Sequence, residues 1–153
     1  MSAIQEIRVG MKPELADPRG ETLQQQLNAW GMGELQNQSI RTATVYRFEG
    51  ITSDAAKQLA ADVLTDTLTQ QATLNSPFTA GTKLEIAYKP GVMHPVEASL
   101  QMAAQQKNIL PAATTASIEY YFAGDVPDEQ LAEIGRRLTS QVETVIWQKP
   151  ETL

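Results

Sequence analysis

Few residues of this 153-residue chain have the type and spacing that catalysis needs. Its one histidine, His94, belongs to no HExxH or His-x-x-x-His pattern, so we predict a helix-entry residue rather than a metal ligand. The glycine pair of "WGMGELQ" lacks the third glycine and the Gly-Lys-Ser/Thr ending of a phosphate-binding loop, and it indicates a helix end. No serine has the G-x-S-x-G setting of a nucleophile. The sequence predicts no catalytic residue, no metal site and no cofactor.

The charge and composition exclude several classes of protein. A net charge of -6 without a run of lysines or arginines argues against a nucleic-acid partner. The basic residues Arg136 and Arg137, and the pair Arg41 and Arg47, are predicted to lie on solvated faces. The absence of cysteine excludes disulfides and a thiolate nucleophile. Neither a membrane-span pattern nor a signal-peptide pattern is found, so we expect a soluble globular protein in the cytoplasm, without a membrane partner.

An internal repeat is the strongest pattern in the sequence. A shift of 77 positions matches "IRVGMKPELADP", from Ile7, with "LEIAYKPGVMHP", from Leu84. A shift of 74 matches "YRFEG", from Tyr46, with "YYFAG", from Tyr120. A three-residue difference in one loop reconciles the two shifts. The sequence therefore predicts two copies of one unit, in residues 1–75 and 84–153, joined by a linker in residues 76–83.

Each copy has the pattern of strand, helix, strand, helix and strand. Apolar residues alternate in "IRVGM" and "LEIAY", as in half-buried strands. Asp17 then precedes Pro18, which predicts an N-cap and the first residue of a helix that ends at Gly31. His94 and Pro95 take the same two places in the second copy. Short strands near residues 72–74 and 144–147 would complete the two units.

A unit of about 75 residues buries only a modest fraction of its surface, and two copies can cover each other. The predicted fold class is α+β, with two tandem ferredoxin-like β-α-β-α-β units packed as a pseudo-twofold dimer. Exposed sheet faces and unpaired edge strands are the predicted surfaces for association, including dimerisation of two chains.

Lys12 and Lys89 recur at the end of the first strand of each copy. One interpretation makes them contacts to an acidic surface of a partner protein. The other makes each of them a polar residue that closes a strand. The sequence leaves both interpretations open.

The first copy resembles PurS, the small subunit of phosphoribosylformylglycinamidine (FGAM) synthase. The resemblance lies in "IRVGMKPELADPRGETLQQQLNAWG", with Asp17-Pro18-x-Gly20, and in "VLTDTLTQQ", which contains Asp66. The segment "YKPGVMHPVEASLQMA", which contains Pro95, is similar to the PurS-like N-terminal region of fused synthases. Together these matches span nearly the whole chain.

The resemblance implies a non-catalytic role in purine biosynthesis. Proteins of the PurS family hold together a synthase subunit, PurL, and a glutaminase subunit, PurQ, so that ammonia reaches the amidation site. It also implies structural roles for the motif residues Asp17, Pro18, Gly20, Asp66 and Pro95. Lys12, Lys89 and Arg41 are the candidate contacts to these partners. The alternative from another class is a tandem ferredoxin-like regulatory domain that binds a small molecule.

Overall fold

The structure is a computed structural model that describes residues 4–35, 38–89, 96–139 and 143–146. Its elements run strand, helix, strand, helix, strand in the first half of the chain and again in the second half. The strands are β1 (Ile4–Met11), β2 (Ile40–Glu49), β3 (Gln70–Leu74), β4 (Thr82–Tyr88), β5 (Ala113–Phe122) and β6 (Glu143–Ile146). The α-helices are α1 (Pro18–Ala29), α2 (Ser53–Leu59), α3 (Val96–Gln105) and α4 (Asp128–Leu138).

All six strands form one antiparallel sheet in the order β3-β1-β2-β5-β4-β6. The longest pairing joins β2 to β5 over ten residue pairs, from Ile40 opposite Phe122 to Glu49 opposite Ala113. The two halves of the chain therefore meet in the middle of a continuous sheet, and β3 and β6 lie at its two edges. The coarse prediction of an α+β protein compatible with a ferredoxin-like fold is confirmed.

Local signals place the first helix where the sequence predicts it. Asp17 is the N-cap of α1, and its carboxylate accepts a hydrogen bond from the backbone N–H of Gly20 at 3.1 Å. Pro18 is the first helical residue, where its missing N–H is not needed. Beyond the C-terminus of α1, Gly31 has a φ of +79°, the left-handed conformation that glycine adopts without strain.

The four helices pack on one face of the sheet in two clusters, and each cluster takes a helix from both halves of the chain. Leu23 of α1 and Ile134 of α4 lie in one cluster, over β4 and β5. Leu59 of α2 and Leu100 of α3 lie in the other, over β1. Because neither half has a helix layer of its own, the hydrophobic core also ties the two halves together.

Two details differ from the sequence prediction. The sequence predicts one helix between the second and third strands, but its α-helical part ends at Leu59 and a turn of π-helix follows at Ala60–Leu64. A π turn adds one residue to a helix without a sequence signal of its own, so hydrophobic spacing does not reveal it. The third strand also begins earlier than expected, at Gln70, because the chain pairs with Met11 from there.

Within the part of the chain that the structure describes, no helix combines the length and the apolar character that crossing a membrane would need.

Candidate functional site

The face of the sheet that bears no helices carries a layer of charged side chains. Strand residues alternate between the two faces, so Ile7 and Val9 point to the helices while Glu6 and Arg8 point to the other side. Cross-strand pairing then assigns residues of the other strands to the same helix-free face. These residues, which we call the ionic layer, are Glu6, Arg8, Arg47, Lys83, Glu85, Ser117, Glu119 and Tyr121.

Arg8 and Glu119 form the most deeply buried ion pair of this layer. The Nε and Nη2 atoms of Arg8 donate to the two carboxylate oxygens of Glu119, at 2.8 and 3.2 Å. Glu119 is completely buried and Arg8 is 5% exposed. Lys83 also lies 3.2 Å from the same carboxylate, and Tyr121 donates a hydrogen bond to it. Two cations and a hydroxyl therefore compensate the burial of one carboxylate.

Arg47 and Glu85 form a second bidentate pair, with N–O distances of 2.6 and 3.2 Å. Ser117 donates a further hydrogen bond to Glu85, and the Nε of Arg47 lies 2.7 Å from Glu6. The prediction that Arg47 lies on a solvated face is wrong, because its side chain is only 19% exposed and its hydrogen bonds to Glu6, Glu85 and Ser117 all stay within the layer. Spacing in sequence did not reveal that β4 brings Glu85 within reach.

The environment keeps the buried carboxylate of Glu119 ionised. Burial by itself raises the pKa of Glu119, but hydrogen bonds from Arg8 and Tyr121 and the nearby charges of Arg8 and Lys83 outweigh burial. The net pKa is below its ordinary value. The pKa of Tyr121 is raised by burial and by its hydrogen bond to Glu119, so the phenol stays protonated and acts as a donor.

The linker between the two halves lies on this same face. Arg8 donates to the carbonyl of Ser76 at 3.2 Å, and the N–H of Phe78 donates to the hydroxyl of Tyr121 at 3.2 Å. Phe78 is 9% exposed and packs with Tyr121 and Ala43. A Cβ at Gly10 would lie 2.7 Å from the ring of Phe78, so only glycine leaves room for the ring there. The predicted linker is thus a packed segment.

This arrangement suits cohesion rather than acid and base chemistry. A general acid needs a carboxyl group whose pKa is raised towards neutrality, whereas the pKa values of Glu6 and Glu119 are both lowered by their arginine partners, which more than offset burial. Both bidentate pairs join a strand of the first half to a strand of the second half, Arg8 to Glu119 and Arg47 to Glu85. The ionic layer therefore fastens the two halves to each other.

Three of the motif residues that the resemblance singles out, Asp17, Pro18 and Gly20, lie together at the start of α1. The carboxylate of Asp17 caps α1 and also accepts the backbone N–H of Thr42 at 2.7 Å and its hydroxyl at about 3 Å. Pairing of β1 with β2 ends at Val9 and Thr44, so Asp17 satisfies the next N–H of β2 in place of a strand. A Cβ at Gly20 would lie 2.1 Å from the carbonyl oxygen of Ile40, so α1 approaches β2 this closely only with glycine there.

Of the residues predicted to contact partners, Arg41 lies beside Lys12, whereas Lys89 lies at the other end of the strands. Arg41 donates to the carbonyls of Met11, Lys12 and Leu15, and so it fixes the turn after β1. Lys12 follows β1 and Lys89 follows β4, and these two strands run in opposite directions. The two lysines therefore lie at opposite ends of the strands. Their contacts with partners stay predictions.

Asp66 organises the turn before β3. Its carboxylate accepts hydrogen bonds from the backbone N–H of Leu68 at 3.0 Å and from the hydroxyl of Thr69 at 3.1 Å. This Asx-type turn explains an aspartate at this place without any partner. Pro95 and His94, which were predicted to begin α3, lie outside the described residues.

A shallow groove lies beside the N-terminus of α1. Its volume is about 290 Å³, and polar side chains of Asp17, Arg19, Thr42, Thr44 and Gln70 line it. The buried carboxylate of Asp17 is already occupied by Gly20 and Thr42. In residues 4–35, 38–89, 96–139 and 143–146 no three acidic or histidine side chains are grouped so that they could hold a metal ion.

Sequence reasoning missed the ionic layer, although a signal for it exists. The charged residues occupy alternate positions in strands whose other positions are apolar, which sequence analysis takes for an exposed face. The shift of 77 positions matches Glu6 with Lys83 and Arg8 with Glu85, so the sign of the charge inverts between the copies at both positions. Charge inversion between the matched segments is the signal that would have indicated contact between the two halves of the chain.

Comparison of the sequence with protein-family models and with curated proteins finds no match.

Proposed function

We propose that the chain is two tandem ferredoxin-like units, packed as a pseudo-twofold pair, which serves as a non-catalytic bridging subunit or PurS-like domain of FGAM synthase in the cytoplasm. The units are residues 1–75 and 84–153, joined by residues 76–83. In this role the protein holds a PurL-like synthase and a PurQ-like glutaminase together for ammonia transfer. The resemblance to PurS provides the partners, and the geometry supports the two-unit body that would bridge them.

The register of the sheet supports the two-unit arrangement. Ile7 lies opposite Tyr46 between β1 and β2, and Leu84 lies opposite Tyr120 between β4 and β5. These are the residues that the shifts of 77 and 74 positions match. In the central pairing, Thr44 lies opposite Ile118, its own equivalent by the shift of 74. A twofold axis between two copies would produce this register.

The edge strands β3 and β6 also match each other, but the shift between them is one residue smaller than the shift between the second strands. Val9 lies opposite Ala72, and Ile86 lies opposite Val145, so the shift between the third strands is 73. One extra residue must therefore lie between β2 and β3 of the first unit. The π turn at Ala60–Leu64 provides such a residue, because a π turn arises from an insertion of one residue into an α-helix.

The observation that carries the bridging role is the presence of two equivalent edges that face in opposite directions. β3 and β6 close the two ends of the sheet and occupy the same place in the two units. Their sequences, "QQATL" and "ETVI", differ, so the two ends offer similar geometry with different chemistry. A body with this property suits the joining of two different partners.

A comparison of two ammonia sources tests the bridging role. PurL and PurQ from the same source are assayed for FGAM synthesis with glutamine and with ammonium chloride, with and without this chain. We expect glutamine-dependent synthesis to require the chain and ammonia-dependent synthesis to proceed without it. Equal glutamine-dependent rates in both mixtures, together with separate elution of the three proteins on gel filtration, would contradict the proposal.

The groove beside α1 favours a second candidate function, a regulatory domain that binds a small polar molecule. Arg19 lines this groove and offers hydrogen bonds to such a ligand, whereas the hydroxyl of Thr42 already donates to Asp17. A ligand present at a hundred times its dissociation constant stabilises a protein by about 2.7 kcal/mol, which a thermal-shift screen of amino acids and nucleotides detects. A screen without any shift would remove this candidate.

A further inference from the structure

The arginines and glutamates that form the two bidentate pairs of the ionic layer are sorted between the two halves of the chain. Both buried arginine partners, Arg8 and Arg47, lie on the strands of the first half, and both glutamate partners, Glu85 and Glu119, lie on the strands of the second half. No ion pair between these four residues lies within one half. The sorting matters because Glu85 is 1% exposed and Glu119 is completely buried, so water cannot screen either carboxylate.

Equivalent positions of the two halves carry different charges. The register matches Arg8 with Glu85, Arg47 with Tyr121, and Val45 with Glu119. The hydrogen-bonded pairs Arg8–Glu119 and Arg47–Glu85 therefore join positions that do not correspond to each other in the two halves. This asymmetry allows a prediction of what each half would meet if it paired with a copy of itself.

Pairing of like halves brings like charges together. In a pair of two first halves, Arg8 of the second copy would take the place that Glu85 has beside Arg47. Two arginines would then meet. In a pair of two second halves, Glu85 of the second copy would take the place that Arg8 has beside Glu119. Two buried carboxylates would then meet. Each contact occurs twice by symmetry. Glu6 in the first half and Lys83 in the second half remain as counter-ions, but four charges of one sign would then share only two of them. Buried like charges that are not fully compensated are strongly destabilising.

We propose that Arg8, Arg47, Glu85 and Glu119 determine which units pair, so that the first half accepts only the second half and neither half pairs with its own kind in a second copy of the chain. The linker adds proximity, since it keeps the correct partner at a high effective concentration. This inference rests on the two-unit arrangement proposed above, but not on the proposed partners. It assigns the ionic layer to the choice of a pairing partner rather than to stability alone.

Exchange of the charges in the full-length chain tests the proposal. The acidic variant is Arg8→Glu/Arg47→Glu and the basic variant is Glu85→Arg/Glu119→Arg. The exchanged variant combines these four substitutions with Glu6→Lys and Lys83→Glu, because Glu6 contacts both arginines and Lys83 contacts Glu119. Only in the exchanged variant does each pair, positions 8 and 119 or positions 47 and 85, again consist of one arginine and one glutamate. A matched control, Arg136→Glu/Arg137→Glu, makes the same change of net charge on the surface of α4. The readouts are circular dichroism, melting temperature and mass by light scattering.

We expect each double variant alone to lose the native fold or to melt more than about 10 °C below the wild type, because like charges then meet inside the layer. The control should remain a folded monomer of 16.8 kDa. The exchanged variant should regain a folded monomer. Co-expression of the acidic and the basic variants should give a folded dimer of twice that mass, since each half then finds a complementary half only in the other chain.

A fall of less than about 10 °C in the melting temperature of either double variant overturns the proposal. So does failure of both the exchanged variant and the co-expressed pair to regain the fold, since opposite charges would then be present without restoring the pairing. None of these readouts involves a synthase or a glutaminase. A failure here is therefore distinct from a failure of the bridging role, which the ammonia assay measures.

Discussion

At the scale of single residues, the ionic layer shows how a charged group is tolerated in a buried position. Val45 is completely buried on the helix-free face, although no helix within the described residues covers it. The side chains of its pairing neighbours, Arg8 and Ser117, belong to the charged layer above it. The aliphatic part of a long side chain excludes water while its charged end finds a partner. The charged side chains of the ionic layer therefore cover this face of the sheet.

Replacement of Glu119 by glutamine tests this view. The substitution keeps the shape but removes the charge that Arg8 and Lys83 require, so we expect a loss of about 2–3 kcal/mol in the free energy of unfolding, measured in urea. The matched control is Glu133→Gln, which removes a surface carboxylate that is also paired with two arginines. The control should have no measurable effect. Equal losses in both variants would contradict a special role for burial.

The pH dependence of stability follows from the same carboxylate. The pKa of Glu119 is lower in the folded protein than its ordinary value of 4.5. The group therefore contributes stability above pH 4.5, and that contribution is lost as the pH falls through the lowered pKa. We expect the urea midpoint to fall between pH 6 and pH 3, and to fall less in Glu119→Gln than in the wild type. Parallel pH profiles of the two proteins would refute this assignment.

Gly20 provides a test in which two physical effects have opposite signs. Within a helix, Gly→Ala ordinarily stabilises by up to about 1 kcal/mol. At Gly20, however, the added Cβ would lie 2.1 Å from the carbonyl oxygen of Ile40, and that backbone cannot move freely. We expect Gly20→Ala to destabilise by about 2–3 kcal/mol. Gly33→Ala, whose Cβ would meet its nearest atom at 3.4 Å, should cause no loss. Stabilisation by both substitutions would show that α1 does not approach β2 this closely.

At the scale of elements, the segment between β3 and β4 has to cross most of the sheet. β3 and β4 are four positions apart in the strand order, which corresponds to about 19 Å. The seven residues from Asn75 to Gly81 reach at most about 25 Å when extended. The segment therefore follows a nearly direct path over β1, β2 and β5, where Phe78 fills the space above Gly10. Short length, rather than its sequence, holds it against the ionic layer.

Phe78→Ala distinguishes a packed strap from a solvated tether. Removal of the ring leaves a cavity against Tyr121 and Ala43, and we expect the free energy of unfolding to fall by about 3 kcal/mol. Thr79→Ala, at the neighbouring exposed position, is the control and should change it little. An unchanged urea midpoint in Phe78→Ala would mean that the segment does not pack on the sheet in solution.

At the scale of the whole molecule, the opposite positions of Lys12 and Lys89 predict independent effects on partners. If each lysine contacts an acidic surface of a different partner, Lys12→Glu and Lys89→Glu should each slow the association with one partner by about tenfold at low salt, since charges at the rim of an interface act mainly on association rates. Surface plasmon resonance with immobilised PurL and PurQ measures this. Lys57→Glu on α2 is the control.

The opposite result has an equally direct meaning. Unchanged association rates in both lysine variants would leave the other interpretation of the two residues, which is that each one closes a strand. The folds of the variants should be unchanged in either case, because neither lysine takes part in an ion pair within the described residues.

The sequence by itself determined the local features of this protein. Alternating apolar residues located the first and fourth strands, and the Asp17-Pro18 pair located the start of α1. These features depend on neighbours within a few residues, which a sequence displays directly. The repeat also predicted the order of elements in the second half, since a matching pattern of residues predicts a matching element.

Only the tertiary structure decided where the charged residues lie. Arg8 and Glu119 are 111 positions apart, and they meet because β2 pairs with β5 and places β1 and β5 on either side of β2. Alternation within a strand states that Arg8 and Ile7 face opposite ways, but it does not state what covers each face. The order of the strands and the length of the linker determine what covers each face. A salt bridge between strands that are distant in sequence forms only after the sheet has assembled.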